Sequence, residues 1–391
     1  MLVHLVPALP PSINGIADYC YKLWQHWPMP QPQWHCLSPH VSLQNRAHWP
    51  EVEMTEFVPN EQGLLKKLNS LNWQYAAQNQ EIQKCVVLHY VSFGYHPKGC
   101  PLWLPRALKT WKRQNAGRVV VMFHELYARG TPRQSAFYLS PLARGIMVDL
   151  IRLSDGWVTS CAAAEKILLR EAHACANQGR VLPIGSAIEP ASDVVFQSFR
   201  PLLQDTGLKI AVFGLPRTRL SALERHKRLL EALRASNNIE SLHLIGKAPD
   251  AAIENATAKL LKSLALTHLV QSHYDLAPEK ISAILQHQDL GLVVNTPDLL
   301  TKSSVYAALC AHELIVICAP DSSKDITSEG KYSLMVPYLE NDDACPHLTL
   351  NALRDTARMD DLRNDTKRAA SEILSWSSIT RGWAEVIGDA I

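Results

Sequence analysis

The chain has 391 residues, of which 47% are hydrophobic and 19% charged, and its formal net charge is +2. That balance excludes a strongly basic nucleic-acid protein and a disordered acidic segment, and the length exceeds one ordinary core, so two domains are expected. Charge is unevenly spread: residues 1–190 carry 18 Lys/Arg against 12 Asp/Glu, and the remainder 21 against 25. A modestly basic first half suits an anionic ligand or membrane surface, and equally a plainly solvated face.

Leu2 to Leu9 reads as a first strand closed by Pro10-Pro11. Asn14-Gly15 then makes a turn, and a helix pattern starts near Ile16. A glycine between strand and helix lets backbone N–H groups approach an anion at the helix's positive end. Residues 30–50 look loop-rich. A helical pattern covers Glu61 to Gln83, followed by a strand from Cys85 to Val91 and an amphipathic, basic helix over residues 102–113. That helix carries Arg106, Lys109, Lys112 and Arg113 beside Trp103, Leu104, Leu108 and Trp111. It is read either as a peripheral membrane contact or as a solvated basic face on a Trp-lined core side.

The stretch RVVVMFHELYARG (118–130) is the centre of the first half. Its unbroken apolar run fits a strand buried on both faces of a parallel sheet. It stops at His124-Glu125, at a carboxyl end, where open α/β sheets bind ligands. A histidine hydrogen-bonded to loop backbone is the alternative reading. Helices at Pro141–Leu153 and Ala162–Glu171, with strands at Gly156–Ser160 and Arg180–Ile184, continue a βαβ series. A polar interval, Glu189 to Gly207, reads as a linker.

A second series follows. Strands are expected at Lys209–Phe213, Ser241–Ile245, Leu266–Val270, Leu290–Val294 and Leu314–Cys318. Helices fall between them at Leu223–Ala235, Asp250–Ser263, Pro278–Gln286 and Ser304–His312. The last 20 or so residues, through Trp376 and Trp383, form one more helix that packs back on the first domain. The domains are therefore residues 1–188 with 376–391, and residues 205–375, both doubly wound α/β.

There is no G-x-G-x-x-G and no G-x-x-x-x-G-K-[ST], so neither a dinucleotide fingerprint nor a P-loop is present. Three second-half features suit a phosphate-containing ligand. Phe213-Gly214 ends a strand and is followed by Arg217, Arg219, His226 and Lys227. Ile245-Gly246-Lys247 ends the next. Thr301-Lys302-Ser303-Ser304 precedes a helix, so that free N–H groups, hydroxyls and one ammonium converge. An ordinary N-cap beside a surface lysine is the alternative. The nine cysteines form no C-x-x-C pair, which fits reduced thiols in a cytosolic protein better than disulfides or zinc. MLVHLVPALPP lacks the basic segment of a signal peptide, and no apolar run approaches the roughly 18 residues that span a bilayer. The expectation is a soluble, cytoplasmic, bacterial protein, or one that is peripheral at the inner membrane face.

Together these residues resemble the GT-B glycosyltransferases, in particular the large retaining family of nucleotide-sugar transferases (glycosyl transferases group 1). Asn14 to Tyr19 is similar to the family's first-loop motif G-G-I-A-x-x. Phe123-His124-Glu125 resembles T-x-H-[DE], Val158 to Ser160 the strand ending V-x-x-S, and VLPIGSAI (181–188) the P-N-G-[IV] turn. Ala211 to Gly214 with Lys227 resembles F-x-G-R-x-x-x-x-K-G, and Leu292 to Ile317 the P-S-x-x-E-x-x-x-x-x-x-x-E segment. The block HYVSFGYHPKGCPLW…FHELYARG resembles one bacterial branch. The sequence departs from the family pattern in three places. The paired glutamates, which would fall near Leu299 and Ala307, are missing; Leu215 stands where the arginine of F-x-G-R belongs; and His312 replaces a glycine.

The resemblance implies a GT-B fold, two Rossmann-like domains facing across a cleft. It implies transfer of a sugar from a nucleoside-diphosphate sugar to a hydroxyl acceptor in a glycan, a lipid-linked carrier or a small metabolite, as in polysaccharide biosynthesis, with retention and without a metal or other cofactor. His124, Glu125 and Asp18 would act at the transferred sugar and acceptor. Gly15, Gly214, Arg217 or Arg219, Lys227, Lys302, Ser303 and Ser304 would hold the donor, with Thr301 in the same loop. A nucleotide-sugar-binding or scaffolding protein that has lost turnover is the other reading, motivated by the missing glutamates.

Overall fold

The computed structural model describes residues 2–11, 15–30, 32–71, 84–127, 133–172, 179–190, 207–319, 336–341 and 345–389. Asn14, the expected helix beyond residue 71, residues 128–130 of the central stretch, Cys175 and most of the expected linker lie outside them. The chain divides into two compact units, Met1–Leu182 with Trp376–Ile391, and Pro183–Glu329 with Leu334–Ser375.

The first unit runs β1 (Leu2–Leu5), α1 (Gly15–Gln25), β2 (Trp34–Ser38), α2 (Leu43–His48), β3 (Glu53–Glu56), α3 (Glu61–Ser70), β4 (Cys85–Tyr90), α4 (Ser92–Tyr95), α5 (Trp103–Asn115), β5 (Arg118–Phe123), α6 (Ser135–Leu153), β6 (Gly156–Thr159), α7 (Ala162–Ala172) and β7 (Gly179–Val181). Its seven strands form one sheet in the order β3-β2-β1-β4-β5-β6-β7, every described pair parallel. Strand order reverses between β1 and β4, the switch point at which doubly wound sheets open a crevice. Every residue of β1, β2 and β4 is buried, as expected of strands covered on both faces.

β2 and α2 correct the loop-rich reading of residues 30–50. WHCLS has no apolar alternation, and it becomes a strand because β1 supplies a parallel partner for it. α2 is held by its capping box, in which the Ser42 hydroxyl accepts from the Asn45 N–H. In α5 the residues Leu104, Ala107, Leu108 and Trp111 are buried, while Arg106, Lys109 and Arg113 are exposed. The apolar side of this helix is therefore spent on the core, and any membrane contact through it would be electrostatic only. No helix among the described residues is long and apolar enough to cross a membrane.

The second unit runs β8 (Leu208–Gly214), α8 (Pro216–Arg225), α9 (Lys227–Ala235), β9 (Ile239–Gly246), α10 (Ala251–Ser263), a 3-10 turn (Thr267–Leu269), β10 (Val270–Tyr274), α11 (Pro278–Leu285), β11 (Leu290–Leu292), a second 3-10 turn (Pro297–Lys302), α12 (Ser304–Ala311), β12 (Ile315–Cys318), β13 (Leu339–Glu340), α13 (Pro346–Arg354) and α14 (Thr356–Glu372). Six strands give the order β10-β9-β8-β11-β12-β13, with the reversal between β8 and β11. The strand expected at Leu266–Val270 is corrected: Leu266 is a core residue before the 3-10 turn, and the strand is the polar edge segment VQSHY. The helix expected at Leu223–Ala235 is two helices broken at His226, whose Nε2 lies 2.9 Å from the Val293 carbonyl oxygen.

After α14 the chain re-enters the first unit as α15 (Trp376–Asp389). The Trp383 indole N–H donates to the Tyr19 hydroxyl at 2.7 Å, and the Thr380 hydroxyl donates to the His26 carbonyl at 3.0 Å. The C-terminal helix thus caps the same sheet face as α1. The whole is an α/β fold of the GT-B class, with two Rossmann-like sheets in one chain.

Candidate functional site

In the first unit the polar centre lies at the switch point. His4 on β1 is level with Val87 of β4, and His89 of β4 is level with Met122 of β5. Each histidine, ending with His124 just past β5, lies two residues beyond the position level with the one before. Since side chains alternate across a strand, the three rings share one face and step diagonally toward the carboxyl edge. His4 Nδ1 is 3.1 Å from His89 Nε2, and His89 Nδ1 is 3.1 Å from His124 Nε2. His4 stacks on Trp34 with ring centroids 3.8 Å apart. Tyr19 turns its ring edge to His89 and His124, and Cys20 Sγ lies 3.9 Å from His89 Nε2.

His4, Cys20 and His89 are the one group among the described residues with metal-ligating atoms close together. At 3.1 Å the two ring nitrogens are already a hydrogen-bonded pair. Sequence reasoning passed over His4 and His89. The available signal was one histidine in each of two largely apolar strands, LVHL and CVVLHY. His124 is half-buried and Glu125 exposed; both backbone N–H groups face the Tyr90 carbonyl, at 3.2 and 3.5 Å. Asp18 is on the exposed side of α1, where partial desolvation raises its carboxyl above the usual range and His48 opposes that rise. Gly15 opens α1 and is exposed.

Burial holds both interior rings neutral. It pushes His89 down to about 3; for His4 burial, and then the charge of His89, lower it well below 6.5. The unfolded chain therefore binds more protons than the folded domain as pH falls from about 6.5 toward 3, and each ring costs up to about 1.4 kcal/mol of stability per pH unit in that window. All ten tryptophans fall within residues 1–182 and 376–391, so their fluorescence reports this unit. Its melting temperature is expected to fall on acidification from about pH 7 to pH 5; a melting temperature that does not fall would show that neither ring is protected from protonation.

In the second unit the carboxyl edge at the switch point gathers a different chemistry. Gly214 has φ +131°, and a Cβ there would lie 3.3 Å from Val305 Cγ2, so the end of β8 meets the first turn of α12. Ser303 caps that helix, its hydroxyl accepting from the Tyr306 N–H at 3.2 Å. That hydroxyl keeps its own proton to donate. The 3-10 turn before it is pinned by buried Leu300 and by the Thr301 carbonyl, which accepts from the Ile184 N–H at 2.8 Å. Thr301 is buried, which corrects its inclusion among the phosphate contacts, while Lys302 is exposed.

Of the two arginines left open by the sequence, Arg219 is 3% exposed. Its guanidinium donates to the carbonyls of Gly214, Ile245 and Lys247 and lies over the Tyr274 ring at 4.8 Å. It ties the ends of β8 and β9 together and has little to offer a ligand. Arg217, in the first turn of α8, is exposed. Lys227 opens α9 and pairs loosely with Glu231 at 3.9 Å. His312, in the glycine position of the family segment, is buried and bonded to the Ala308 carbonyl and Ser282 hydroxyl. Leu299 and Ala307, near which the resemblance would place paired glutamates, lie in the 3-10 turn and in α12, and Ala307 is buried.

The chain has the fold of several solved glycosyltransferases. It aligns with a glycosyltransferase from Rickettsia africae at a TM-score of 0.64 and 11% identity, over 100% of this chain and 98% of that one. Anabaena HepE in complex with UDP and glucose gives 0.61 and 12%, over 99% of both chains. Sucrose-phosphate synthase from Thermosynechococcus elongatus gives 0.63 and 14%, over 99% and 98%. No protein-family model and no curated protein sequence matches the chain.

Proposed function

We propose that this protein is a glycosyltransferase that moves a sugar from a nucleoside-diphosphate sugar to a hydroxyl acceptor, with retention and without a metal. The observation that carries the reading is the anion cradle at the second unit's switch point. There Gly214 brings bare backbone beside the capped N-terminus of α12, and Lys302, Ser303 and Ser304 flank it. A helix N-terminus with free N–H groups, hydroxyls and an ammonium suits a diphosphate. HepE, of the same fold, was solved with UDP-glucose.

In this reading Lys302, Arg217, Lys227 and the α12 amides stabilise the leaving diphosphate as the glycosidic bond breaks, the role a metal fills elsewhere. His124 contacts the transferred sugar, and Glu125 and Asp18 serve the acceptor side. The described cysteines are all free thiols, which suits the reducing cytoplasm.

Incubation with UDP-, GDP- and ADP-sugars, scoring free nucleoside diphosphate, tests the proposal. The paired glutamates missing from the family pattern, with buried Ala307 near one of their expected positions, favour a second reading, a binding protein without turnover; donor binding with no release would support it. Lys302→Ala is expected to raise the donor Kd about tenfold, the loss of one charge-assisted contact partly screened by solvent. Arg217→Ala should act in the same direction. An unchanged Kd in both would remove this loop and helix from the phosphate site.

A further inference from the structure

We propose that the outer face at the start of α6, with the basic stripe of α5 beside it, docks the first unit onto an anionic lipid bilayer. Among the described residues eleven large hydrophobic side chains are exposed, and five of them, Phe93, Leu102, Phe137, Tyr138 and Leu142, lie around the starts of α5 and α6. Singly exposed apolar residues are ordinary, whereas a cluster of them marks an interaction surface. The parts are joined at residues 99 and 100. The Phe93 ring lies 3.2 Å from where a Cβ on Gly99 would be, and the Cys100 thiol donates to the Leu139 carbonyl at 4.0 Å. On α6 the residues Tyr138, Pro141, Leu142 and Gly145, at i, i+3, i+4 and i+7, line one side of the helix, and all four are exposed. A Cβ on Gly145 would meet nothing within 4 Å. The other side, with Ala143, Ile146, Met147 and Leu150, already packs in the core. The helix therefore keeps a second apolar side after packing, where a solvated helix carries polar and charged residues. The Phe137 and Tyr138 rings meet edge to face with centroids 5.4 Å apart, and Tyr138 is 71% exposed.

Charge decides what covers this face. Residues 82–148 contain ten Lys/Arg and a single acidic residue, Glu125, although residues 1–190 as a whole carry 18 against 12. Lys98, Arg106, Lys109, Arg113 and Arg133 are exposed. Arg106, Lys109 and Arg113 follow Leu102 at helical spacing along α5, which packs beside α6. A second copy of the chain seated here would set two such basic surfaces against each other, and like charges across an interface repel. An anionic bilayer suits both parts, with phosphates for the bases and an interfacial layer that takes up aromatic and aliphatic side chains. α5 supplies the charge, and the start of α6 supplies the apolar anchor that α5 lacks. Both helices run back from the carboxyl ends of the strands before them, β4 and β5, so the patch lies at the sheet edge that carries His124. On the transferase reading, a bilayer held there would bring a lipid-linked hydroxyl acceptor to that edge.

The test is flotation of the full-length protein with vesicles of phosphatidylcholine alone and of phosphatidylcholine mixed with phosphatidylglycerol, at low and high salt. Binding to the mixed vesicles is expected, weakened by salt and much weaker on phosphatidylcholine alone. Phe137→Ser combined with Tyr138→Ser should weaken it about tenfold or more, because two aromatic side chains no longer bury in the interface. Arg106→Gln, Lys109→Gln and Arg113→Gln should each weaken it about fivefold. Leu348→Ser, at a site on α13 that is 60% exposed, should leave binding unchanged. Every one of these side chains is exposed, so the tryptophan-detected melt should hold; should the aromatic double variant fail to fold, the three α5 variants decide. No binding to the mixed vesicles at low salt, or binding untouched by the aromatic double variant, overturns the proposal. So does a dimer in sedimentation velocity that the same double variant dissociates, which would give this face to a second copy. If vesicle binding is as expected but no sugar nucleotide is turned over, the docking face stands and the transferase reading falls.

Discussion

Alanine in place of His124 is expected to slow nucleoside-diphosphate release about a hundredfold or more, with donor Kd nearly unchanged. Removing one preorganised hydrogen-bond donor aimed at developing charge costs about 10²–10³ in turnover, and His124 sits at the carboxyl end of the central strand where such a donor is useful. The ring contributes little to packing, being only half-buried. Its loss leaves the His89 Nδ1 at the outer end of the chain, where water can replace it. The tryptophan-detected melting temperature should therefore drop by only a few degrees, in keeping with a loss of about 1 kcal/mol. A large drop in melting temperature with turnover preserved would make His124 a structural residue.

Gly246→Ala is expected to have the largest effect on the second unit, destabilising it by about 3 kcal/mol or more. Gly246 has φ +131°, a conformation that an L side chain adopts only under strain. An added Cβ would run into the Gly214 carbonyl oxygen and come within 2.9 Å of the Arg219 guanidinium. Neither neighbour can yield, because that carbonyl is itself an acceptor of Arg219 and the guanidinium is fixed by two further carbonyls and Tyr274. Urea denaturation followed by far-UV circular dichroism should show the loss; an unchanged midpoint would mean that this junction is looser than drawn. The same junction separates two arginines that the sequence could not tell apart. Arg219→Ala should destabilise the unit, whereas Arg217→Ala should weaken donor binding and leave stability alone.

Much of the fold was legible because parallel strands covered on both faces write themselves as unbroken apolar runs. VVVMF, CVVL, KIAVF and LIVIC each became strands close to their expected limits. Where the signal failed, a partner decided. WHCLS carries a tryptophan and a histidine among its five residues and becomes a strand beside β1. VQSHY is polar because it is an edge. The break at His226 reflects a bond to a carbonyl that lies 67 residues further along the chain.

For the candidate site, the sequence identified the residue types and the loops that carry them. His124 at a strand end, Gly214 before a helix, and Lys302-Ser303-Ser304 before another are local facts, fixed by strand length and capping chemistry. It could not assign Arg219 or Thr301, because a side chain's availability depends on what surrounds it after folding. Nor could it reveal that His4, His89 and His124, spread over 120 residues, form one chain. By itself the sequence determined the two α/β halves and the chemistry available at their strand ends, since hydrophobic period and turn residues act over a few positions. Only the tertiary structure decided which of those groups are spent holding the fold and which stay available, because strand order and burial are settled between segments far apart in the chain.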